Sequence, residues 1–318
     1  MNRWIVGNTL LTLALGLLWT QSASAAELWV TNQLSNTISI IDTEMLAAVI
    51  TIPSGGREPH NITFSPNGKE AWVTHVGSNT ISIIDTVTRE VTTTLPGGTR
   101  THAVTFSPSG KLAHITNPGS NDLWIIDVPT RKVVERISVG KGPQLLLFSK
   151  DGTRAFLSLS GDEEVWVLDA ATHKTLATIP TGKDAMGLGL GSDGRYLYIT
   201  TGAENRVIVI ETASLKEVKS IETGFDTHGL AVSTDGRFVY VANRGSNTLS
   251  VIETGAHTLV RSIPTGKSPD MVALSPNNRQ IYLTNRGDDS ISVIDTATAQ
   301  VRAVIPVGRA PHGIALRH

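Results

Sequence analysis

Cysteine is absent from all 318 residues. Its absence excludes disulfides, thiolate zinc sites, cysteine nucleophiles, c-type haem attachment and a lipidated N-terminal cysteine. Aromatic residues are scarce at 5%, and charged residues at 17% are too few for a disordered chain. No excess of one sign is present either: 27 Lys plus Arg face 28 Asp plus Glu, a net charge of −1. Bulk attraction to nucleic acid or to an anionic membrane is therefore not expected. After residue 25 no apolar run approaches the roughly 20 residues of a membrane-spanning helix.

What is present begins with an export pattern. Arg3 is followed by the apolar stretch Leu10 to Trp19 and by Ala23-Ser24-Ala25, a small-residue cleavage site. The expectation is a signal peptide over 1–25 and a mature chain over 26–318. Cleavage removes Arg3, the only charge in the segment, and the mature net charge becomes −2. In a bacterium this places the protein in the periplasm or outside the cell, with no membrane span after cleavage.

One unit then repeats. The acidic residues Asp42, Asp85, Asp127, Asp169, Glu211, Glu253 and Asp295 are spaced by 43 and then by 42 residues. Gly68, Gly110, Gly152, Gly194 and Gly236 are 42 apart, and Asn278 takes the next position. Asn follows Gly in tolerating a left-handed backbone. Within one unit, the segments starting at His228, Phe238, Thr248 and Leu259 read as four short strands separated by turn residues. Four strands in a repeat of this length is the pattern of a propeller blade. The fold expected is all-β, a seven-bladed β-propeller over 26–318. Glu27 to Thr31 reads as a second strand and His312 to Arg317 as a first strand, so the C-terminal strand should close the ring against the N-terminal ones.

The second strands carry a mark: Trp29-Val-Thr-Asn32, Trp72-Val-Thr-His75, Tyr240-Val-Ala-Asn243 and Tyr282-Leu-Thr-Asn285. Together with the "SNTISIID" and "IPTGKSP" segments, this resembles the YVTN family of bacterial β-propeller repeat proteins along the whole mature chain. The resemblance extends to the haem-d1 propellers of nitrite reductases and to propellers beside quinone-dependent dehydrogenases. It implies a fold, and no catalytic residue transfers with it.

The repeat also selects a ring. The first residues of the seven innermost strands are His60, His102, Gln144, Met186, His228, Asp270 and His312, each 42 apart. In a propeller these surround one mouth of the central channel. Five of them, His228, Asp270, His312, His60 and His102, fall on successive blades. Basic residues flank the ring: Arg57, Lys141, Lys183, Lys267 and Arg309 three residues before it, Arg100 two before, and Arg244 and Arg286 in loops on the same face. Two readings stand side by side. In one, each His is a copied blade residue that bonds a neighbouring backbone; in the other, the ring binds a small anion or a metal. For a metal, His60, His228 and His312 are the ligands expected, since neutral imidazole suits Zn, Cu and Fe, and Met186 would favour Cu(I).

The acidic set from Asp42 to Asp295 is expected to cap turns on the opposite face, not to form a carboxylate cluster. No Gly-x-Ser-x-Gly, P-loop or His-Glu-x-x-His occurs. The function expected is that of an exported, monomeric binding or scaffold module rather than an enzyme. Its partner would be a small anionic ligand or an envelope protein, and too few aromatics stand in the loops for nucleic acid. No cofactor is required by the sequence; the alternative is a metal- or haem-dependent enzyme or carrier using the same ring.

Overall fold

The 42-residue unit is one sheet. In the computed structural model, which describes residues 26–317, seven antiparallel four-stranded sheets follow one another. The signal-peptide assignment falls on residues outside those described. Innermost strands touch around a closed cycle, from Pro311–Arg317 to Pro59–Phe64, Ala103–Phe106, Pro143–Phe148, Ala185–Leu190, Thr227–Val232, Pro269–Leu274 and back. Blade 1 is closed as expected, with Pro311–Arg317 paired to Glu27–Asn32. Among the described residues no helix is long and apolar enough to cross a membrane.

A propeller has no single core. Seven apolar clusters occur, one at each seam between neighbouring blades. The second and third strands are therefore buried on both faces and read as continuous apolar runs such as Ile-Ser-Ile-Ile. The outermost strands are covered on one side only and carry Thr, Lys and Val.

The Trp/Tyr-Val-Thr-Asn mark now has a physical reading. The aromatic position fills a seam, and its polar tip finds a partner. Trp29 and Trp72 donate from Nε1 to Glu27 and Glu70, and the Tyr282 hydroxyl donates to Gln280. His114 takes the place of the aromatic in blade 3; its Nε2 lies 3.1 Å from His173 Nε2, and His173 Nδ1 donates to Glu135. The Asn ends the strand and ties the following loop, as where Asn32 donates to Thr37 and Ser39.

The Thr does more. In six blades the innermost strand carries a β-bulge at the ring position: Pro59 pairs with His75 and Ile62 with Val73, so His60 and Asn61 both oppose Thr74. The same shift recurs at Gln144, Met186, His228, Asp270 and His312. A bulge leaves backbone groups unpaired and turns the strand. The Thr hydroxyl answers both needs. Thr31 accepts the Gly313 N–H at 2.8 Å and donates to the His60 carbonyl of the next blade at 2.7 Å. Thr200 does the same for Gly187 and His228.

Glycine after the ring residue lets neighbouring blades approach. A Cβ on Gly313 would lie 2.2 Å from the His60 carbonyl oxygen, and one on Gly229 would lie 2.4 Å from that of Asp270. These are backbone atoms and cannot rotate away. Gly313→Ala is expected to destabilise the protein by about 1–3 kcal/mol by overpacking, measurable as a lower denaturant midpoint. An unchanged midpoint would show that the blades can part without cost.

The acidic repeat caps turns, as expected. Asp85 accepts the N–H groups of Val87 and Thr88, and Asp169 those of Ala171 and Thr172. These turns lie at the strand ends remote from the ring, since Asp42 pairs with Glu27 while Pro311 pairs with Asn32.

Candidate functional site

The innermost strands, four of them bulged at the ring position, bring the five predicted residues of the arc together. His60 stacks on His312 with ring centroids 3.6 Å apart and on His102 at 4.1 Å. His228 stands edge-on to His312 at 6.1 Å. Asp270 is fully buried and forms the hub. Its Oδ1 lies 3.2 Å from His228 Nε2, and its Oδ2 lies 3.7 Å from His312 Nε2. Gln144 and Met186 line the far side.

The arginines divide into two kinds. Arg244 places both Nη2, at 2.6 Å, and Nε, at 3.1 Å, on Asp270 Oδ1. Arg286 Nη1 stands 3.5 Å from Oδ2. Arg57 and Arg309 instead turn to loop carbonyls, those of Gly77 and Leu34, and stay exposed. The outer basic loops are also matched by acids. Asp162, Glu204 and Asp288 accept the N–H groups of Lys141, Lys183 and Lys267. Ser35 and Ser78 serve the same role for Arg309 and Arg57. The loops thus form a mixed rim, and the positive charge facing the ring comes from Arg244 and Arg286.

Left-handed residues set the entry to each innermost strand. Glu58, Arg100, Asp226 and Ser268 have positive φ, and their N–H groups are accepted by Asn36, Asn79, Asn205 and Asn247, themselves left-handed. These Asn residues close the loops on the same face and fix where the ring side chains start.

Burial decides the charges. It pushes the His60 and His228 imidazoles well below their ordinary value, helped at His60 by His312 and at His228 by Arg244. Burial lowers His102 to about 3. It lowers His312 to about 4 against the opposing pull of Asp270. For Asp270 burial acts upward, but His312, His228 and Arg244 outweigh it and hold the carboxyl below the usual range. At neutral pH the ring is four neutral imidazoles around one carboxylate.

Several of its polar atoms have no partner. His102 Nδ1 donates to the Gln144 carbonyl at 3.0 Å. His60 Nδ1, both nitrogens of His312 and Asp270 Oδ2 are buried without a hydrogen bond. A buried polar group left unpaired costs about 1–3 kcal/mol. The space beside them is about 20 Å³, enough for one water-sized species. A haem macrocycle needs a pocket of several hundred Å³ and does not fit inside the ring.

Of the predicted site, His60, His102, His228, Asp270, His312, Arg244 and Arg286 share the mouth, while Arg57 and Arg309 do not reach it. Among the described residues, His228, Asp270 and His312 each offer one ligand atom, and these atoms lie within 4.8 Å of one another. Asp270 thus stands where His60 was expected, and His60 stacks beside the group. Sequence reasoning missed the Thr hydroxyls that hold the ring, although the Thr of each Val-Thr-Asn was in plain view.

A family model described as a YNCE-like beta-propeller matches residues 11–318. No curated protein matches the chain. Among solved structures, hydrazine synthase of Kuenenia stuttgartiensis is similar at 21% identity and TM-score 0.78, over 85% of this chain and 92% of that one. A functionally unknown protein from Desulfotomaculum acetoxidans DSM 771 is similar at 17% identity and TM-score 0.81, over 93% and 99%. The dihydro-heme d1 dehydrogenase NirN in complex with DHE is similar at 14% identity and TM-score 0.73, over 93% and 76%. Likeness at these identities is likeness of fold.

Proposed function

This chain belongs to the YNCE-like β-propeller family, and from that footing we propose that it is an exported binding module whose ligand site is the channel mouth. The ligand is small and carries an anionic group toward Arg244 and Arg286. One observation carries the reading: His60 Nδ1, His312 Nδ1 and Nε2 and Asp270 Oδ2 are buried, unpaired and gathered in one ring. A purely structural ring would be expected to satisfy them, as His102 does with Gln144. Charge supports the anionic end. Two guanidinium groups face one carboxylate there, and the imidazoles are neutral.

The test uses protein as isolated from its host, with inorganic phosphate and acetate as probes. A ligand at about 100 times its Kd adds about 2.7 kcal/mol, which raises Tm by several degrees in a domain of this size. The wild type should show that rise with at least one probe. The combined His60→Ala, His228→Ala and His312→Ala variant should keep its β-sheet spectrum and lose the rise. An equal rise in both proteins would move the site away from the ring. No rise in the wild type would remove the anionic ligand.

A further inference from the structure

Resting on that reading of the channel mouth, we propose that the ring's resident occupant is a single first-row transition-metal ion held by His228, Asp270 and His312. Two imidazoles and one carboxylate with open positions are a recurrent donor set for such ions. Here all three side chains are buried, and one ligand atom from each lies inside 4.8 Å of the others.

The spacing supports a metal over a larger ligand. Zinc takes nitrogen and oxygen donors at about 2.0–2.2 Å, so tetrahedral neighbours stand roughly 3.3–3.6 Å apart. The His228 Nε2 to Asp270 Oδ1 distance is 3.2 Å, and the His312 Nε2 to Asp270 Oδ2 distance is 3.7 Å. The two distances end on different oxygens of Asp270, and with the free Oδ2 as the ligand atom the His312 edge is already close to the polyhedron's dimensions. His228 has to close on both of the others, from within 4.8 Å. His228 Nε2 now faces Asp270 Oδ1 at 3.2 Å; as a ligand through Nε2 the neutral imidazole carries its proton on Nδ1.

Hydrogen bonding leaves the right atoms free. Arg244 engages Asp270 through Oδ1 alone, which leaves Oδ2 without a hydrogen bond. His312 Nε2 is also unpaired. Arg244 is then the outer partner that orients a ligating carboxylate, a common accompaniment of metal sites. Arg286 is the one obstacle, since its Nη1 lies 3.5 Å from Oδ2. Its side chain is 34% exposed, so it has solvent into which to swing. From there it faces the open coordination positions, where the anionic ligand would complete the metal's sphere.

The experiment titrates zinc sulfate into the full mature chain after removal of bound metal with a chelator, by calorimetry. Cobalt(II) absorption serves as an independent record of the donor geometry. The wild type should bind one zinc ion per chain and give a tetrahedral or five-coordinate cobalt band. His312→Gln and His228→Gln should each weaken zinc by about 100-fold or more, beyond the 10–100-fold typical of an outer-sphere partner. Arg57→Gln, whose guanidinium bonds the Gly77 carbonyl outside the ring, should bind as the wild type does. No stoichiometric zinc in the wild type overturns the metal, as does equal affinity in the His312 and His228 variants. If zinc fails while ring-dependent stabilisation by phosphate or acetate persists, the metal is wrong and the binding site stands. If both fail, the site itself is wrong.

Discussion

Arg244→Met is expected to lower the stability of the metal-free protein by about 3–5 kcal/mol, the usual effect of breaking a buried ion pair from one side. The reason is the position of Asp270, which is fully buried. Arg244 supplies two hydrogen bonds to its Oδ1, at 2.6 and 3.1 Å. Without them the carboxylate keeps His228 and the more distant Arg286. It must then remain charged in a poor environment or take up a proton. At about 2–4 °C per kcal/mol for a large domain, the melting temperature should fall by about 10 °C. Arg57→Met is the control. Its guanidinium bonds a loop carbonyl in solvent, and such surface changes usually stay within about 0.5 kcal/mol. Both arginines were expected on the ring's face, Arg57 three residues before His60 and Arg244 in the loop after Asn243. Equal melting temperatures for the two variants would contradict the assignment of Asp270 as a hub.

Acid should unfold the metal-free protein well above the pH at which ordinary carboxylates titrate. Six histidines are buried and held low: His60, His102, His228 and His312 in the ring, and His75 and His114 in the blades. Their folded values are depressed, to about 4 at His75, His114 and His312 and about 3 at His102. In the unfolded chain they return to about 6.5. Below that value the unfolded state binds protons that the folded state refuses. The stability is therefore complete above pH 6.5 and is lost as pH falls toward the folded values. Each histidine contributes about 1 kcal/mol of loss between pH 6.5 and 5.5. The six together approach the whole stability of a typical domain, about 5–15 kcal/mol. Asp270 adds its share only lower, because its depressed value keeps it charged until the carboxylate range. The expected acid midpoint is near pH 5. Replacing the four ring histidines by Gln should cut the slope of stability against pH between 6.5 and 5.5 to about a third. A slope unchanged by that replacement would mean that the ring titrates as freely as the unfolded chain.

The blade was legible because its signals are local. The strand read from Phe238 to Ala242 runs Phe238–Asn243, and the one read from Thr248 to Ile252 runs Thr248–Glu253. Apolar runs, β-branched residues and turn residues set those limits without reference to other blades. Gly68, Gly236 and Asn278 have the positive φ that their shared position in the repeat suggested. The ring positions were legible too, because the repeat fixes which residue starts each innermost strand. The direction of each side chain was not. It depends on the bulge opposite Thr31, Thr74 and Thr200, and on how closely the neighbouring blade approaches across Gly229 and Gly313. The bulge is set within a blade, and the close approach is a relation between blades that no single repeat contains. Spacing already set Asp270 between His228 and His312 on successive blades; what it did not show is that Asp270, rather than His60, offers the third donor atom within 4.8 Å. Arg57 and Arg309 diverged from Arg244 and Arg286 for the same reason. The former two stand in loops whose carbonyls lie within reach, and the latter two face the buried carboxylate.

The channel mouth is a ring of neutral imidazoles with donor atoms left free around a charged, arginine-held carboxylate. Nitrogen-15 NMR of the histidine side chains, followed from pH 7.5 to 5.5 on metal-free protein, tests it most directly. The account predicts that His60, His102, His228 and His312 stay neutral throughout, with the His102 proton on Nδ1. Midpoints near 6.5 for His60, His228 and His312 would contradict it.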